Sequence, residues 1–494
     1  MFLKDLLYRQ KNNNKIAIRC GDQIITYSDW YKKSSLIAKI IFQNNLKEKS
    51  NIALFIPNSI DYAVAYFAIS LTNKTIIPIG TESKKAEIIN TLEYCEIDMI
   101  ITTSAFNDIM IDVLSNYNHF VALIFIDEKV EENRIEQKVM AKKNECSKIY
   151  NSKSDVAIML HTSGTTSNPK RVMLSHENLI KNIESNIASL NLSENDVTLI
   201  SMPMYFGYCN TAQFLTHLYL GASIVIMEGV FWPHKFFQLI QNYKISNFTG
   251  VPSMLLMLLD YRYSKNYDIS NLRYICFGGG NMPIGKLKQL IKKYNTIGFV
   301  QTYGQTEAAP RVTALLPEDS IRKIGSVGKA IPNVEVEIMD CNECVLAQGE
   351  IGEIVVRGPN VMLGYFKRED LTKKTLLNGW LHTGDLGYID KDGYLYLTGR
   401  KKNIIISGGI NIYPEEIEEL LMNHPAVSEC CVISEQHYLL GEIPIAKIVL
   451  KQDFIDLNEL YKYCKHNLSN YKIPKRFDFV SELSKTYNGK VKRY

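Results

Sequence analysis

The chain has 494 residues, 46% hydrophobic and 22% charged, too many for one core and enough for about two to four folding units. Its 56 basic and 52 acidic residues leave a net charge of +4 without a clustered basic face, which argues against a nucleic-acid protein. No apolar run reaches the ~18 residues of a spanning helix. The opening Met1–Leu7 mixes acid and base and offers no small-residue cleavage site, so it is not read as a signal peptide. The ten cysteines are scattered, and thiols without an export signal point to the cytoplasm. Cys341-x-x-Cys344 has no second pair beside it and reads as a hairpin turn.

The first clear pattern is strand Ile52–Ile56, an N-cap at Asn58, helix Ser59–Leu71 and strand Thr75–Ile79, a βαβ unit with parallel strands. Helix Lys84–Tyr94 and strand Ile97–Thr102 repeat it. After a polar stretch, Asp127–Ser154, comes the apolar strand Val156–Leu160, then the returning strand Val172–Leu174. Ser175 caps helix Glu177–Ser189. Strands Val197–Met202, Ser223–Met227, Asn247–Thr249, Leu272–Phe277 and Ile297–Val300 follow, with helices Gln213–Tyr219 and Lys235–Asn242 among them. From Gly325 short alternating strands (Val334–Ile338, Gly352–Arg357, Gly387–Asp390, Tyr394–Thr398) suggest a smaller antiparallel unit. Beyond Gly399–Asn403, Pro414 opens helix Glu415–Met422 with Ile417, Leu420 and Leu421 on one face. Strands Cys430–Ser434 and Ala446–Leu450, helix Leu457–Leu468 and strand Arg476–Val480 complete a small α+β domain.

Residue types with chemical use gather in the loops. His161–Arg171 crowds hydroxyls, a glycine and Lys170 onto a strand end, which suits an anionic polyphosphate, although the spacing is not that of a Walker loop. Gly278-Gly279-Gly280 lets a flat ligand approach the backbone. Tyr303-Gly304-Gln305-Thr306-Glu307 offers an aromatic face, a hydroxyl and a carboxylate able to hold a hydrated Mg²⁺. Thr383-Gly384-Asp385 reads as a tight turn with a carboxylate for ribose hydroxyls. Gly399-Arg400-Lys401-Lys402 is a basic knot between domains, and Lys485–Lys490 a basic C-terminal loop. Taken singly, each is also an ordinary loop or turn.

Their order and spacing resemble the successive core motifs of the adenylate-forming superfamily, which comprises acyl- and aryl-CoA synthetases, adenylation domains and beetle luciferases. The motifs are Thr162–Lys170, Tyr303–Glu307, Thr383–Asp385, Gly399-Arg400, Ser407–Glu418 and Gly489-Lys490, and the similarity runs from about residue 10 to the end. The resemblance implies an α/β fold: a large N-terminal domain of layered α/β subdomains with a small β-rich subdomain (1–399), a hinge (400–403), and a small mobile α+β domain (404–494). It implies a two-step reaction. A small carboxylic acid attacks the α-phosphate of Mg·ATP to give an acyl-adenylate and pyrophosphate, and a thiol then displaces AMP.

By the same resemblance Thr162, Ser163, Gly164, Thr165, Thr166 and Lys170 hold phosphates, with Thr165 counted as catalytic. Glu307 binds Mg²⁺ and Thr306 sits beside a phosphate. Gly278, Gly279, Gly280, Tyr303 and Gly304 frame the adenine, Asp385 and Arg400 the ribose. Lys490 is the catalytic lysine, Lys402 the hinge, and Ser407, Gly408 and Gly409 lie beside the thiol tunnel. The acceptor is CoA or, as the alternative, the phosphopantetheine of an acyl or peptidyl carrier protein; Lys462, Lys465, Lys472 and Lys475 suit either.

Three departures from the family stand out. Ser167 and Arg171 replace usual glycines; Ser167 is expected to be tolerated and Arg171 to face solvent. In Pro203–Cys209, Phe206 stands where many CoA ligases have His and Cys209 where they have Gly. Phe206, Tyr208, Cys209 and Gly280 are the expected acid-pocket residues, an uncharged wall that suits an acyl or aryl acid better than a free amino acid.

Overall fold

The computed structural model describes residues 1–44, 46, 50–117, 119, 121–127, 156–161, 170–408, 410–451, 456–485 and 491–493. Among these the strands form four sheets. The parallel βαβ unit expected near the start is present: strand Asn51–Phe55 pairs in parallel with both Thr75–Pro78 and Ile97–Thr102. These join Ala122–Phe125, Val156–His161, Arg171–Ser175 and Gly364–Tyr365 in a seven-stranded sheet.

A nine-stranded sheet runs beside it. Its interior is the parallel set Gly298–Tyr303, Tyr274–Phe277, Asn247–Gly250, Val197–Ile200, Ser223–Ile226 and Ile16–Cys20. The near-continuous apolar content of these strands is what a sheet covered on both faces requires.

Three helices join the sheets: Tyr27–Gln43, Ile60–Leu71 and the stretch Gly207–Leu220. Ile60–Leu71 is apolar nearly all round and, Asp61 in its first turn apart, buried from Ile60 to Ser70, as a helix with almost no solvent face must be. Its cap is Ser59, whose hydroxyl accepts from Tyr62 N at 3.1 Å, and not Asn58 as expected. Asn58 instead accepts from Met204 N and donates to Met202 O, both at 2.8 Å, and so fastens the Pro203–Cys209 loop to this helix. The helices lock through aromatic rings, with Phe214 within 5.9 Å of Trp30 and 5.4 Å of Tyr66.

The expected helix Gln213–Tyr219 starts earlier, at Gly207, and carries a π-helical segment over Asn210–Leu215. Its side chains Asn210, Thr211 and Gln213 are buried polar groups. A polar stretch of this kind hides the apolar period that would otherwise have marked the helix. The N-terminal strands Ile16–Cys20 and Gln23–Thr26 and helix Tyr27–Gln43 were not anticipated: the strands are too short to show a period, and the charged and hydroxyl residues of the helix blur its own.

The third sheet is the antiparallel unit expected after Gly325: Glu335–Met339, Gly352–Arg357, Trp380–Ile389 and Leu376–Leu377, with Leu395–Arg400 added to Trp380–Ile389. Cys341 and Cys344 sit in the hairpin turn read from their spacing. The last sheet (Ile410–Ile412, Ile405–Ser407, Gly441–Leu450, Val427–His437, Arg476–Phe479) is covered by helices Pro414–Met422 and Leu457–Asn467 through Ile417, Leu421, Leu460 and Cys464. No helix among the described residues is long and apolar enough to cross a membrane.

Phe214 has no exposed surface and touches the Trp30 ring from one neighbouring helix and the Tyr66 ring from the other. Phe214→Ala should lower stability by about 3–5 kcal/mol, read as a shift in denaturant midpoint with the slope unchanged.

Candidate active site

Residues 162–169, which include Thr162, Ser163, Gly164, Thr165, Thr166 and Ser167, lie outside the described residues. Their flanks are firmly placed. Val156–His161 and Arg171–Ser175 are antiparallel, with His161 opposite Arg171, so both ends of the loop issue from one strand pair. Arg171 does not face solvent. It is 3% exposed, and its Nη2 donates to Thr91 Oγ1 at 2.7 Å, bracing the loop base against helix Lys85–Tyr94. A long side chain next to a lysine in a polar loop looks solvated in the sequence; strand alternation turns it inward.

Lys170 lies with Nζ 5.3 Å from the centre of the Tyr365 ring. The same Tyr365 donates its hydroxyl to Glu307 Oε1 at 2.8 Å. Tyr365 therefore joins the two residues expected at the phosphates and the metal. Nothing in its sequence context singled it out; it reaches the site because Gly364–Tyr365 pairs with Arg171–Ser175. Glu307 sits in a single 3₁₀ turn, Thr306–Ala308, with Thr306 half-exposed beside it.

Asp385 is the second focus. It is buried; Oδ2 accepts the Tyr303 hydroxyl at 2.8 Å and Oδ1 pairs with Arg400 Nε at 2.9 Å. Thr383-Gly384-Asp385 is not a tight turn. It lies inside the ten-residue strand Trp380–Ile389, where the register against Gly352–Arg357 slips at a bulge and Gly384 takes φ +70°. The bulge is held by Glu353, whose Oε1 accepts from Gly384 N at 3.0 Å while Oε2 takes Lys401 at 3.0 Å and His382 at 3.3 Å. Burial works against the Glu353 carboxylate, but these donors outweigh it and carry its pKa below the usual range. Burial, and then Asp385, raise the Tyr303 phenol well above its ordinary value, so it remains a donor.

The glycines divide in role. A side chain on Gly304 would overlap the Pro310 carbonyl, and one on Gly278 would come within 2.6 Å of Thr302 O, so both are required by packing. Gly279, at φ +78°, faces open space, and Gly280 has only Pro252 at ordinary contact distance. These two keep the backbone approachable.

In the Pro203–Cys209 loop, Phe206 and Tyr208 are half-exposed, and the Tyr208 hydroxyl lies 2.7 Å from Thr302 Oγ1. Cys209 has no exposed surface and belongs to the core, so the structure turns it away from any open wall. The π segment that follows it packs on helix His176–Leu190 through Asn186, whose Nδ2 donates to Ala212 O at 3.2 Å and to Thr216 Oγ1, just beyond the segment, at 3.0 Å.

Lys402 lies in the 3₁₀ turn Lys401–Asn403, and its pKa is lowered first by partial burial, then by Arg400, Lys170 and Arg493. Four cations thus converge beside Asp385, a field suited to a polyphosphate. Asn403 Nδ2 donates to Glu415 Oε1 at 3.1 Å, and the same oxygen takes Arg493 Nη2 at 3.0 Å. Arg493 also grips Glu418, with Nη1 to Oε1 at 2.7 Å and Nη2 to Oε2 at 2.8 Å. Ser407 pairs with Ile410 and Gly441, and Gly408 donates its N–H to Leu440 O at 2.7 Å. Gly409 and Lys490 lie outside the described residues.

His161 is held down to about 4, first by burial and then by Arg171 opposite. A depressed imidazole adds stability above the unfolded value of 6.5 and loses it as pH falls toward about 4, because the unfolded chain binds the proton first. An NMR titration should place the His161 midpoint far below 6.5 and raise it in Arg171→Met; a wild-type midpoint near 6.5 contradicts this placement.

The chain was compared with known proteins. Residues 8–366 match the AMP-binding enzyme family, and residues 416–490 match the AMP-binding enzyme C-terminal domain. A 2-succinylbenzoate–CoA ligase of Bacillus subtilis is 32% identical over 486 residues, 98% of this chain and 95% of that one. The o-succinylbenzoate CoA synthetase from Bacillus subtilis, solved with its acyl-adenylate intermediate, superposes with a TM-score of 0.87 at 30% identity, covering 100% of this chain and 97% of that one. The same enzyme with ATP and magnesium gives 0.85 at 30% identity, covering 99% and 98%. With its motifs in order and its two-domain fold shared, the chain belongs to the AMP-binding enzyme family.

Proposed function

We propose that this chain is an AMP-forming acid–thiol ligase that activates a small carboxylic acid with ATP and transfers the acyl group to CoA. The observation that carries the reading is the joint placement of Lys170, Glu307, Tyr303, Asp385 and Arg400 around one site, in a chain of this family. In the first step a carboxylate oxygen of the acid attacks the α-phosphorus and the bond to pyrophosphate breaks. In the second the sulfur of a thiol attacks the acyl carbon, AMP leaves, and the thiol proton goes to solvent. Such displacements need positioning and charge compensation more than covalent catalysis.

Asp385 and Arg400 hold the ribose, and Tyr303 with Gly279 and Gly280 accommodates the adenine. Lys170 and the loop before it, with Thr162–Thr166, take the β- and γ-phosphates. Mg²⁺ fits the carboxylate of Glu307, a hard oxygen ligand oriented by Tyr365, and would supply charge to the polyphosphate. Phe206 and Tyr208 line the acid pocket. Residues 1–399 and 404–494 act as two bodies about a hinge at Lys402, and Ser407–Gly409 borders the thiol's path. The relatives are named for CoA, and none of them supports a carrier protein as acceptor. Their named acid, 2-succinylbenzoate, is the first to test.

Pyrophosphate release across a broad panel of acids, followed by thioester formation with CoA, tests the proposal. Release that depends on a carboxylic acid is expected, with simple acyl or aryl acids ahead of amino acids; absence of release with every acid contradicts it. Lys490→Ala should cut acid-dependent pyrophosphate release by about 100-fold or more, yet leave thioester formation from pre-made acyl-adenylate far less affected. Equal losses in both half-reactions contradict the role given to Lys490.

A further inference from the structure

We infer that Arg493 is a positioning residue for the adenylation half-reaction, its clamp on Glu415 and Glu418 fixing the stretch of chain that carries Lys490. This rests on the ligase reading above and on the role given there to Lys490.

Three residues after Lys490 tie the tail down. Val491 pairs antiparallel with Lys485, and Lys492 N donates to Ser484 O at 2.7 Å. The third is Arg493. Its Nη1 and Nη2 donate to Glu418 Oε1 and Oε2 at 2.7 and 2.8 Å, a two-pronged grip, and Nη2 also reaches Glu415 Oε1 at 3.0 Å. Nη1 donates further to Val432 O at 2.6 Å, and Glu418 Oε1 accepts from Val432 N at 2.6 Å. One arginine thus fastens the tail to helix Pro414–Met422 and to strand Val427–His437 together.

The other ion pair at the foot of this segment is weaker. Lys485 Nζ meets Glu429 Oε1 at 2.6 Å, but the two side chains are 43% and 36% exposed. Water screens such a pair, and a flexible ammonium gives it no fixed direction. The side chains of Arg493 and Glu418 keep only 17% and 13% of their surface in water. There a planar fork set on a carboxylate adds direction as well as strength. Arg493 is therefore the tie that decides where the tail lies.

The reaction asks more of the tail than stability. A lysine that offsets charge at the α-phosphate must be delivered to a small fraction of its own length, and looseness in its support costs rate. Lys490 directly precedes Val491, so whatever holds residues 491–493 sets the point from which it departs. The Glu415 oxygen that takes Arg493 also accepts from Asn403 Nδ2 at 3.1 Å, which ties the tail to the Lys401–Asn403 turn, the hinge of the reading above. The lysine is then carried rigidly by the body that moves. Because Lys490 serves the first half-reaction only, its support should matter there only.

The test is a double-mutant cycle between Arg493 and Lys490 in the full-length enzyme, run on both half-reactions with the best acid of the panel. Arg493→Met should cut kcat for pyrophosphate release by about 10- to 100-fold. KM for ATP and thioester formation from pre-made acyl-adenylate and CoA should each stay within about threefold of wild type. In a Lys490→Ala background the same change should cost less than about twofold, since a support matters only for what it supports. Arg493→Lys, which keeps the charge but cannot span both carboxylates, should recover part of the lost rate. An unchanged kcat, equal losses in both half-reactions, or a full further loss on top of Lys490→Ala overturns the proposal; the last two are what an arginine serving the fold alone would give. Should Arg493→Met fail to fold, Arg493→Lys and Glu418→Gln carry the same cycle with the same outcomes. Pyrophosphate release by the wild-type enzyme upholds the ligase reading whatever these variants do, so the two readings fail separately.

Discussion

Asp385 ties three parts of the molecule with two oxygens. Through Tyr303 it reaches the end of strand Gly298–Tyr303 in the nine-stranded sheet, and through Arg400 the last residue before the Lys401–Asn403 turn. Its own strand belongs to the small antiparallel sheet. Asp385 is buried while Arg400 keeps part of its side chain in water, so their bond gains from burial on the aspartate's side only and holds while each partner stays in place. The bulge at Gly384 is therefore more than a local irregularity. It turns the Asp385 carboxylate out of the ladder, and the Glu353–Lys401–His382 cluster keeps it there.

The remainder of the site depends on this frame in graded fashion. Tyr365 fixes Glu307 and faces Lys170 from a short strand that only the pairing with Arg171–Ser175 creates. Arg493 grips Glu415 and Glu418 near the end of the chain, and Asn403 reaches the same Glu415, so the tail and the Lys401–Asn403 turn share one carboxylate. The residue expected to do chemistry, Lys490, is three positions upstream of that anchor.

Much of this was legible in the residues. Loop motifs declare themselves because glycines, hydroxyls and charges are rare in combination, and the parallel units show in apolar runs with capped helices between. The failures have specific causes. Asp385 looked like a turn residue because Gly384 is a turn former, whereas here its positive φ makes a bulge inside a long strand. Arg171 looked solvated because alternation along a five-residue strand is invisible when the preceding loop is polar. Tyr365 carried no local signal: its importance comes from a partner 58 positions away, Glu307. Contacts at such separations are set by topology, which pattern reading does not reach.

The central claim is that Asp385 and its partners hold the nucleotide. Calorimetric titration of ATP into wild-type protein and Asp385→Asn tests it most directly. Loss of a charged, buried acceptor should weaken binding by about 10- to 100-fold, while the unfolding midpoint moves by only a few degrees. Equal affinities in two equally stable proteins would place the nucleotide elsewhere and contradict the account.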